Sequence, residues 1–286
     1  MRIAVFGAGA LGSVFGTILS RKNEVLLITR GEHLRAIKER GLKVEGHTKG
    51  IFHLPAENHY PGGYELIILT VKAYQTKDAV NDIKKEYKGE PIITFQNGVG
   101  IVDLLKNFDV IPGVTTHGAT LLSPGVVKHA GIGDTYIGEK KGEISERIVH
   151  IARNFTECGL KTEIVNDIME RRWIKAAINA CINPLTAVLN VKNGALLDEN
   201  LSKIVKCVAD ECSEILGEMG IITDIYSLAM DVIRKTKENN SSMLQDINRR
   251  RKTEIDFIVK PFIKKRCNKV LYHMVKFLES RLRDSL

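Results

Sequence analysis

The sequence predicts an α/β chain in two parts, a parallel-sheet domain of Rossmann type over 1–166 and an all-helical domain over 167–286. Three observations carry this. Short apolar runs alternate with helix-like segments in the first part, a pattern that builds right-handed crossovers and a mainly parallel sheet. A glycine string, Gly7-Ala8-Gly9-Ala10-Leu11-Gly12, stands between the first run and the first helix. After about Asn166 the spacing turns almost wholly helical and glycines become few.

The elements follow in order. Arg2-Ile3-Ala4-Val5-Phe6 is a short apolar strand, and 11–19 has helical apolar spacing. Val25-Leu26-Leu27-Ile28 is a second buried strand, followed by a charged helix over about 32–40. Leu66-Ile67-Ile68-Leu69 and Ile92-Ile93-Thr94-Phe95 are two further strands, with a helix over 74–83 between them. Strand-like pieces continue at Val126-Val127 and Thr135-Tyr136-Ile137, separated by glycine turns. Helices are expected over 168–189, 201–219, 225–237 and from 242 onward, the first with Asp167 as its N-cap. Neither a low-complexity linker nor a repeat separates the halves. The junction is therefore expected to be tight, with a ligand cleft beside the strand ends.

Composition narrows the chemistry. A chain of 286 residues with 44% hydrophobic content can bury a sizeable core. It contains no run of the roughly 20 apolar residues that a membrane-spanning helix needs, and the start of the chain does not read as a signal peptide. The expectation is a cytoplasmic protein with no membrane partner. The formal charge of +8 suits a small anionic substrate and a phosphorylated cofactor. Nucleic acid is not expected, because the basic residues are dispersed and aromatics make up only 6%. The run Arg249-Arg250-Arg251-Lys252 reads as a solvated helix face or a phosphate contact. Five cysteines (Cys158, Cys181, Cys207, Cys212, Cys267) form no C-x-x-C pair; they read as ordinary buried thiols, and no metal site is expected. Chemistry must then come from an organic cofactor or from side chains.

The glycine string has the context its mechanism requires, directly after a strand and opening a helix. Gly7 makes the tight turn, Gly9 lets a pyrophosphate approach the backbone, and Gly12 lets the helix pack on the strand. The helix N-terminus adds free N–H groups and partial positive charge. The second strand ends Ile28-Thr29-Arg30, where NAD binders usually place a carboxylate for the ribose 2′-hydroxyl. An arginine pairs instead with a 2′-phosphate. Glu32 is the rival reading, although it also suits the first turn of the next helix. NADP(H) is the expected cofactor.

Within Trp173-Ile174-Lys175-Ala176-Ala177-Ile178-Asn179-Ala180-Cys181-Ile182-Asn183-Pro184, the polar residues Lys175, Asn179 and Asn183 fall at i, i+4 and i+8. They share one face of a helix otherwise apolar enough to be buried. Buried polar groups need partners, either a ligand or an interdomain hydrogen-bond network. The asparagines can donate to a carboxylate and accept from a hydroxyl. Lysine can polarise a ketone and deliver a proton. Pro184 is expected to kink the helix.

With these residues the sequence resembles the ketopantoate reductase (2-dehydropantoate 2-reductase) family from 1 to about 258. The resemblance rests on the glycine loop, Thr70-Val71-Lys72-Ala73-Tyr74-Gln75, Gln96-Asn97-Gly98-Val99-Gly100, 175–184, Asn193-Gly194, Ser241-Ser242-Met243-Leu244-Gln245-Asp246 and Thr253-Glu254-Ile255-Asp256. It implies NADPH-dependent reduction of 2-dehydropantoate to pantoate, and a helical domain of the 6-phosphogluconate dehydrogenase C-terminal-like type. It implies Lys175 as proton donor and Glu254 as the acidic residue near the nicotinamide ribose, these two forming the catalytic set. Asn97, Lys175, Asn179, Asn183, Asn193 and Ser242 would hold substrate. Gly7, Ala8, Gly9, Ala10, Leu11, Gly12, Arg30, Lys72, Gln75, Asn97, Ala119 and Glu254 would contact the cofactor. A homodimer through the helical domain also fits the family.

Taken singly these residues have plainer readings. Lys72 can be a solvated strand end, Asn97-Gly98 a turn, Asn193-Gly194 a helix C-cap, Ser242 an N-cap, and Glu254 a surface ion pair. The alternatives to ketopantoate reduction are an NADP-dependent reductase of another branched 2-keto acid and a non-catalytic NADP(H)-binding paralogue. The family pattern breaks after Phe257, where Ile258-Val259-Lys260-Pro261-Phe262-Ile263-Lys264-Lys265-Arg266-Cys267-Asn268 is short and basic. The resemblance leaves the packing behind Glu254 open.

Overall fold

A computed structural model describes residues 1–264 and 266–283. Lys265 of the basic segment and positions 284–286 of the 167–286 half lie outside the described residues. Contacts divide the chain into two units, Met1–Gln96 with Gly100–Met169, and Asn97–Val99 with everything from Glu170 onward.

The first unit begins β1 (Arg2–Phe6), α1 (Ala10–Leu19), β2 (Glu24–Ile28), α2 (Gly31–Arg40). The chain continues through β3 (Leu42–Gly46), β4 (Gly50–Phe52), β5 (Ala56–Glu57), β6 (Leu66–Leu69), α3 (Thr76–Ile83), β7 (Ile92–Thr94) and α4 (Ile101–Leu104). It ends β8 (Val110–Thr115), β9 (Gly118–Ser123), β10 (Val126–Gly131), β11 (Thr135–Ile137), α5 (Glu146–Glu157), β12 (Thr162–Ile164). Strands β1, β2 and β6 are buried on both faces, as their continuous apolar runs require.

The large sheet has the order β12-β11-β8-β7-β6-β1-β2-β5. From β5 to β8 every pairing is parallel, and β11 runs antiparallel to β8. Those six strands, taken in chain order, give the 3-2-1-4-5-6 arrangement of the dinucleotide fold. The order reverses between β1 and β6, so the segments after Phe6 and Leu69 emerge at the switch point where such sheets bind ligands. Phe15, Leu19, Val5, Leu27 and Ile68 are among the core residues beneath that point.

A second sheet, β4-β3-β10-β9, has no counterpart in the expected elements over 42–52. Its signal is the alternation of buried Leu42 and Val44 with outward Lys43 and Glu45, the period of a half-buried strand. Five residues are a short sample of that period, and pairing with distant β10 decides it.

The second unit is helical: α6 (Ile168–Leu189, its first two residues falling in the first unit), α7 (Glu199–Glu218), α8 (Ile225–Lys235), α9 (Ser242–Asn248), α10 (Ile255–Ile258) and α11 (Arg266–Arg283). Its core includes Ala177, Ala180, Cys181, Val208, Cys212, Ile233 and Leu244. The expected kink at Pro184 does not interrupt α6, whose helix is continuous through it.

One expectation for this unit needs correction. Cys207 and Cys267 are not free thiols but a disulfide joining α7 to the start of α11, while Cys158, Cys181 and Cys212 are free and buried. Spacing could not reveal the pair, because 60 residues separate them and only the fold brings them together. The segment after Phe257, whose packing the sequence left open, is well packed. Ile258, Val259 and Phe262 are buried, and Phe262 meets Trp173 edge-on at 5.7 Å between ring centroids. Pro261 sits at the head of a 3₁₀ turn, Lys260–Phe262, where its missing N–H costs nothing.

Candidate active site

Each unit holds one group of residues suited to chemistry. In the first, the chain leaves β1 through a turn that glycine alone accommodates. Gly7 has φ +97°, and a Cβ there would lie 2.4 Å from the Val71 backbone nitrogen. At Gly12 a Cβ would lie 2.5 Å from Thr70 Oγ1 and 2.6 Å from the Gly7 carbonyl oxygen. Thr70 Oγ1 donates to that carbonyl at 2.9 Å, and the Gly7 and Ala8 N–H groups donate to the Ile28 carbonyl. These contacts fix the loop to the ends of β2 and β6. Gly9 is different: a Cβ there meets only the Gly7 carbonyl oxygen, at 3.9 Å.

The loop thus has two crowded glycines and one open one, at the head of α1, whose first turn carries no acidic side chain. Leading N–H groups of a helix attract anions. This cradle fits the pyrophosphate of a dinucleotide.

The other residues of this group lie on neighbouring strand ends. Arg30 is extended and directly precedes α2, with its side chain about two-thirds exposed. Its Nη2 stands 3.8 Å from Asp82 Oδ2, and its Nε donates to the Asn58 carbonyl at 3.4 Å. Both contacts are long. Glu32 belongs to the first turn of α2. Half-buried Lys72 heads the 3₁₀ turn Ala73–Gln75, and its carbonyl accepts from the Gln75 N–H at 2.8 Å; the Gln75 side chain is exposed. Ala119, half-buried on β9, pairs with His129 on β10. Beside it, His117 Nδ1 and His129 Nε2 share a hydrogen bond of 3.0 Å, and Thr48 Oγ1 meets His129 Nδ1 at 3.0 Å. Burial, then the neighbouring His129, lowers the His117 pKa to about 4, and burial, then His47, lowers that of His129.

The second group centres on α6 and gathers three separated segments. Lys175 is half-buried. Burial first, and then Arg172, lowers its pKa to about 8, against the opposing pull of Glu254. Glu254 is only 4% exposed and accepts from Asn97 Nδ2 at 3.5 Å. The plainer reading of Glu254 as a surface ion pair therefore fails. The Asn97–Val99 segment is tied to the same unit by Val99 N–H donating to the Phe257 carbonyl at 3.1 Å. Gly98 has φ +89°, and a Cβ there would lie 2.6 Å from that same carbonyl oxygen.

Further along α6, Asn179 is half-buried and Asn183 buried. Thr186 continues their face. Its Oγ1 lies 3.0 Å from the Asn183 and Ile182 carbonyls and 2.7 Å from Ser241 Oγ. Ser241, not Ser242, is the N-cap of α9, accepting from Leu244 N–H at 3.1 Å; Ser242 is the first helical residue. Asn193 is no helix C-cap. It opens a 3₁₀ turn, its N–H donates to the Asn239 carbonyl and its Nδ2 to Thr236 Oγ1 at 2.9 Å. Its buried Oδ1 has no hydrogen-bond partner among the described residues.

The structure therefore brings Lys175, Asn97 and Glu254 together and runs Asn179 and Asn183 along the adjoining face. Asn193 bonds instead to the stretch between α8 and α9. Sequence reasoning missed Arg172, Thr186 and Ser241. Arg172 and Thr186 could have been found by extending the helical spacing beyond Lys175 and Asn183.

Comparison with known proteins bears on both groups. A family model described as ketopantoate reductase PanE/ApbA matches residues 3–142, and the model of that family's C terminal matches 167–275. The 2-dehydropantoate 2-reductase of Pyrococcus horikoshii is 41% identical, covering 90% of this chain and 88% of that protein. That of Archaeoglobus fulgidus is 36% identical, covering 98% and 99%. Among solved structures, a D-mandelate dehydrogenase in ternary complex with NADH and anilino(oxo)acetate aligns with a TM-score of 0.93 at 27% identity, covering 99% of both chains. A PanE/ApbA family ketopantoate reductase from Ralstonia eutropha aligns with a TM-score of 0.91 at 25% identity, covering 99% of this chain and all of that one.

Proposed function

The chain belongs to the ketopantoate reductase family, and we propose that it reduces 2-dehydropantoate to pantoate with NADPH, a step toward pantothenate and coenzyme A. The observation that carries this reading is a lysine with its pKa lowered to about 8, on one helix face with two asparagines. The bound nicotinamide supplies the hydride. As C2 gains that hydride, the carbonyl π pair moves to oxygen, and the Lys175 ammonium gives that oxygen its proton. Asn179 and Asn183 offer the carboxylate and hydroxyl of a 2-keto acid both donors and acceptors without adding charge. Glu254 holds Asn97 at the head of this face. Arg30, loosely tethered, is the group that receives the 2′-phosphate and makes the cofactor NADPH rather than NADH.

Loss of NADPH absorbance with purified protein and 2-dehydropantoate tests the reading. Lys175→Ala is expected to lower kcat by about 10²–10⁴-fold while NADPH binding is kept. The wild-type rate is expected to fall as pH rises above about 8, where Lys175 loses the proton it must give. Tight NADPH binding with no oxidation would leave the non-catalytic reading standing.

The D-mandelate dehydrogenase likeness favours a second reading, reduction of an aryl 2-keto acid with NADH. A higher kcat/KM for such an acid than for 2-dehydropantoate would select it. The proposal extends to a cytoplasmic homodimer through the helical domain. Support comes from the exposed apolar Val270, Met274 and Phe277 at i, i+4 and i+7 on α11, and the test is sedimentation of the purified chain. Among the described residues, no helix is long and apolar enough to cross a membrane.

A further inference from the structure

We infer that Arg172 is a positioning residue for this site, clamping the Asn97–Val99 segment while holding a fixed positive charge one helical turn from Lys175. The inference rests on the reading of Lys175 as the proton donor.

The geometry begins on α6. At about 100° per residue, Arg172, Lys175, Asn179 and Asn183 fall within roughly 80° of one another around the helix. Arg172 therefore heads the polar face that the sequence had placed from Lys175 onward. It is only 4% exposed, and an arginine is almost never buried to that degree without specific partners. One partner is the Gly98 carbonyl, which accepts from Arg172 Nη2 at 3.3 Å.

That bond acts on a turn already held from two other sides. Val99 N–H donates to the Phe257 carbonyl, and Asn97 Nδ2 donates to Glu254. The Gly98 carbonyl faces α6, where it accepts from Arg172. Arg172 thus sets where Asn97 sits relative to Lys175, although the three residues come from separate parts of the chain. A lysine could not reproduce this fully, because its single point-like ammonium lacks the planar fork of donors.

The second effect is electrostatic. Among the described residues, Arg172 and Glu254 act on the Lys175 ammonium with opposite signs. Burial of Lys175 is the larger cause of its low pKa, and Arg172 adds to it. A donor that shares its proton readily near neutral pH suits the protonation of an alkoxide. Arg172 keeps its own charge throughout that range, since burial lowers it only to about 10.

The test uses the full-length protein and two variants, Arg172→Gln and Arg172→Lys. The pH dependence of Lys175 acylation by limiting acetic anhydride is followed by mass spectrometry, which needs no turnover. The wild-type midpoint is expected near 8. Arg172→Gln, which keeps donors but removes charge, is expected to move it up by on the order of one unit, and to move the alkaline limb of kcat with it. Arg172→Lys keeps the charge, so its midpoint should stay near the wild-type value while kcat drops about tenfold from the displaced turn. Equal midpoints in wild type and Arg172→Gln would overturn the inference, as would an ordinary lysine midpoint in the wild type. If the midpoints move as expected but no 2-keto acid is reduced, the functional reading fails while the coupling of Arg172 to Lys175 stands.

Discussion

The glycine loop of the first unit and the polar face of α6 in the second are made of different material. The loop is backbone. Its shape comes from what Gly7 and Gly12 lack, a Cβ that would strike Val71, Thr70 or the Gly7 carbonyl. The face of α6 is side chain. Its chemistry comes from what surrounds Lys175: burial, the charges of Arg172 and Glu254, and Asn97 tied to Glu254. A backbone site depends on local sterics and is written in a few adjacent residues. A side-chain site draws on segments more than 150 positions apart, such as Asn97 and Glu254.

Substitutions at Lys175 and Gly12 are expected to have the largest effects. Lys175→Ala is expected to reduce kcat by the two to four orders of magnitude stated above and leave the NADPH dissociation constant within about twofold. Gly12→Ala is expected to do the reverse. Its Cβ must displace the Gly7 carbonyl or Thr70, weakening NADPH by about 100-fold on the scale of a few kcal/mol for forced backbone strain. Fluorescence titration of NADPH with both variants separates the two regions. If Lys175→Ala lost NADPH and Gly12→Ala kept it, the division would be wrong.

The next effect lies behind the helical site. The Cys207–Cys267 disulfide closes a loop of 60 residues, which chain entropy values at up to about 4 kcal/mol. That is a large part of the roughly 5–15 kcal/mol by which a domain is usually stable. Reduction with dithiothreitol, or Cys207→Ser, is expected to lower the Tm of the helical unit while NADPH still binds the first unit. An unchanged Tm would mean that the packing of Phe262 on Trp173 and the hydrogen bonds of Glu211 to Cys267 N–H and Asn268 hold that segment without help.

The smallest effect sharpens the loop side. Arg30→Ala is expected to raise the KM for NADPH about tenfold, near the lower end for a charge-assisted hydrogen bond, and to leave NADH use nearly unchanged. Equal effects on both cofactors would remove Arg30 from 2′-phosphate recognition and return weight to Glu32.

Particular residues show how far the sequence could be read. The strands at 2–6, 25–28 and 66–69 were legible because each is buried on both faces and so must be apolar throughout. The second sheet was not, apart from the start of β10 at Val126-Val127. Its strands are short and half-exposed, and β3 pairs with a strand some 80 positions later, with Val126 opposite Lys43. Lys175, Asn179 and Asn183 were legible because a helix repeats its face every three to four residues. Arg172 lies on the same face but was hidden beside Arg171, which the sequence alone does not distinguish from it. Ser241 and Ser242 posed the same difficulty, and cap geometry chose Ser241.

By itself, the sequence determined the buried strands of the parallel sheet, the long helices, the glycine loop and the polar stripe, because sterics and periodicity act over a few neighbouring residues. The tertiary structure alone decided which cysteines join, which serine caps α9, and how the segment after Phe257 packs. It also decided which charges stand beside Lys175. Those outcomes depend on burial and on distances between remote segments, and desolvation and Coulomb forces take their size from these.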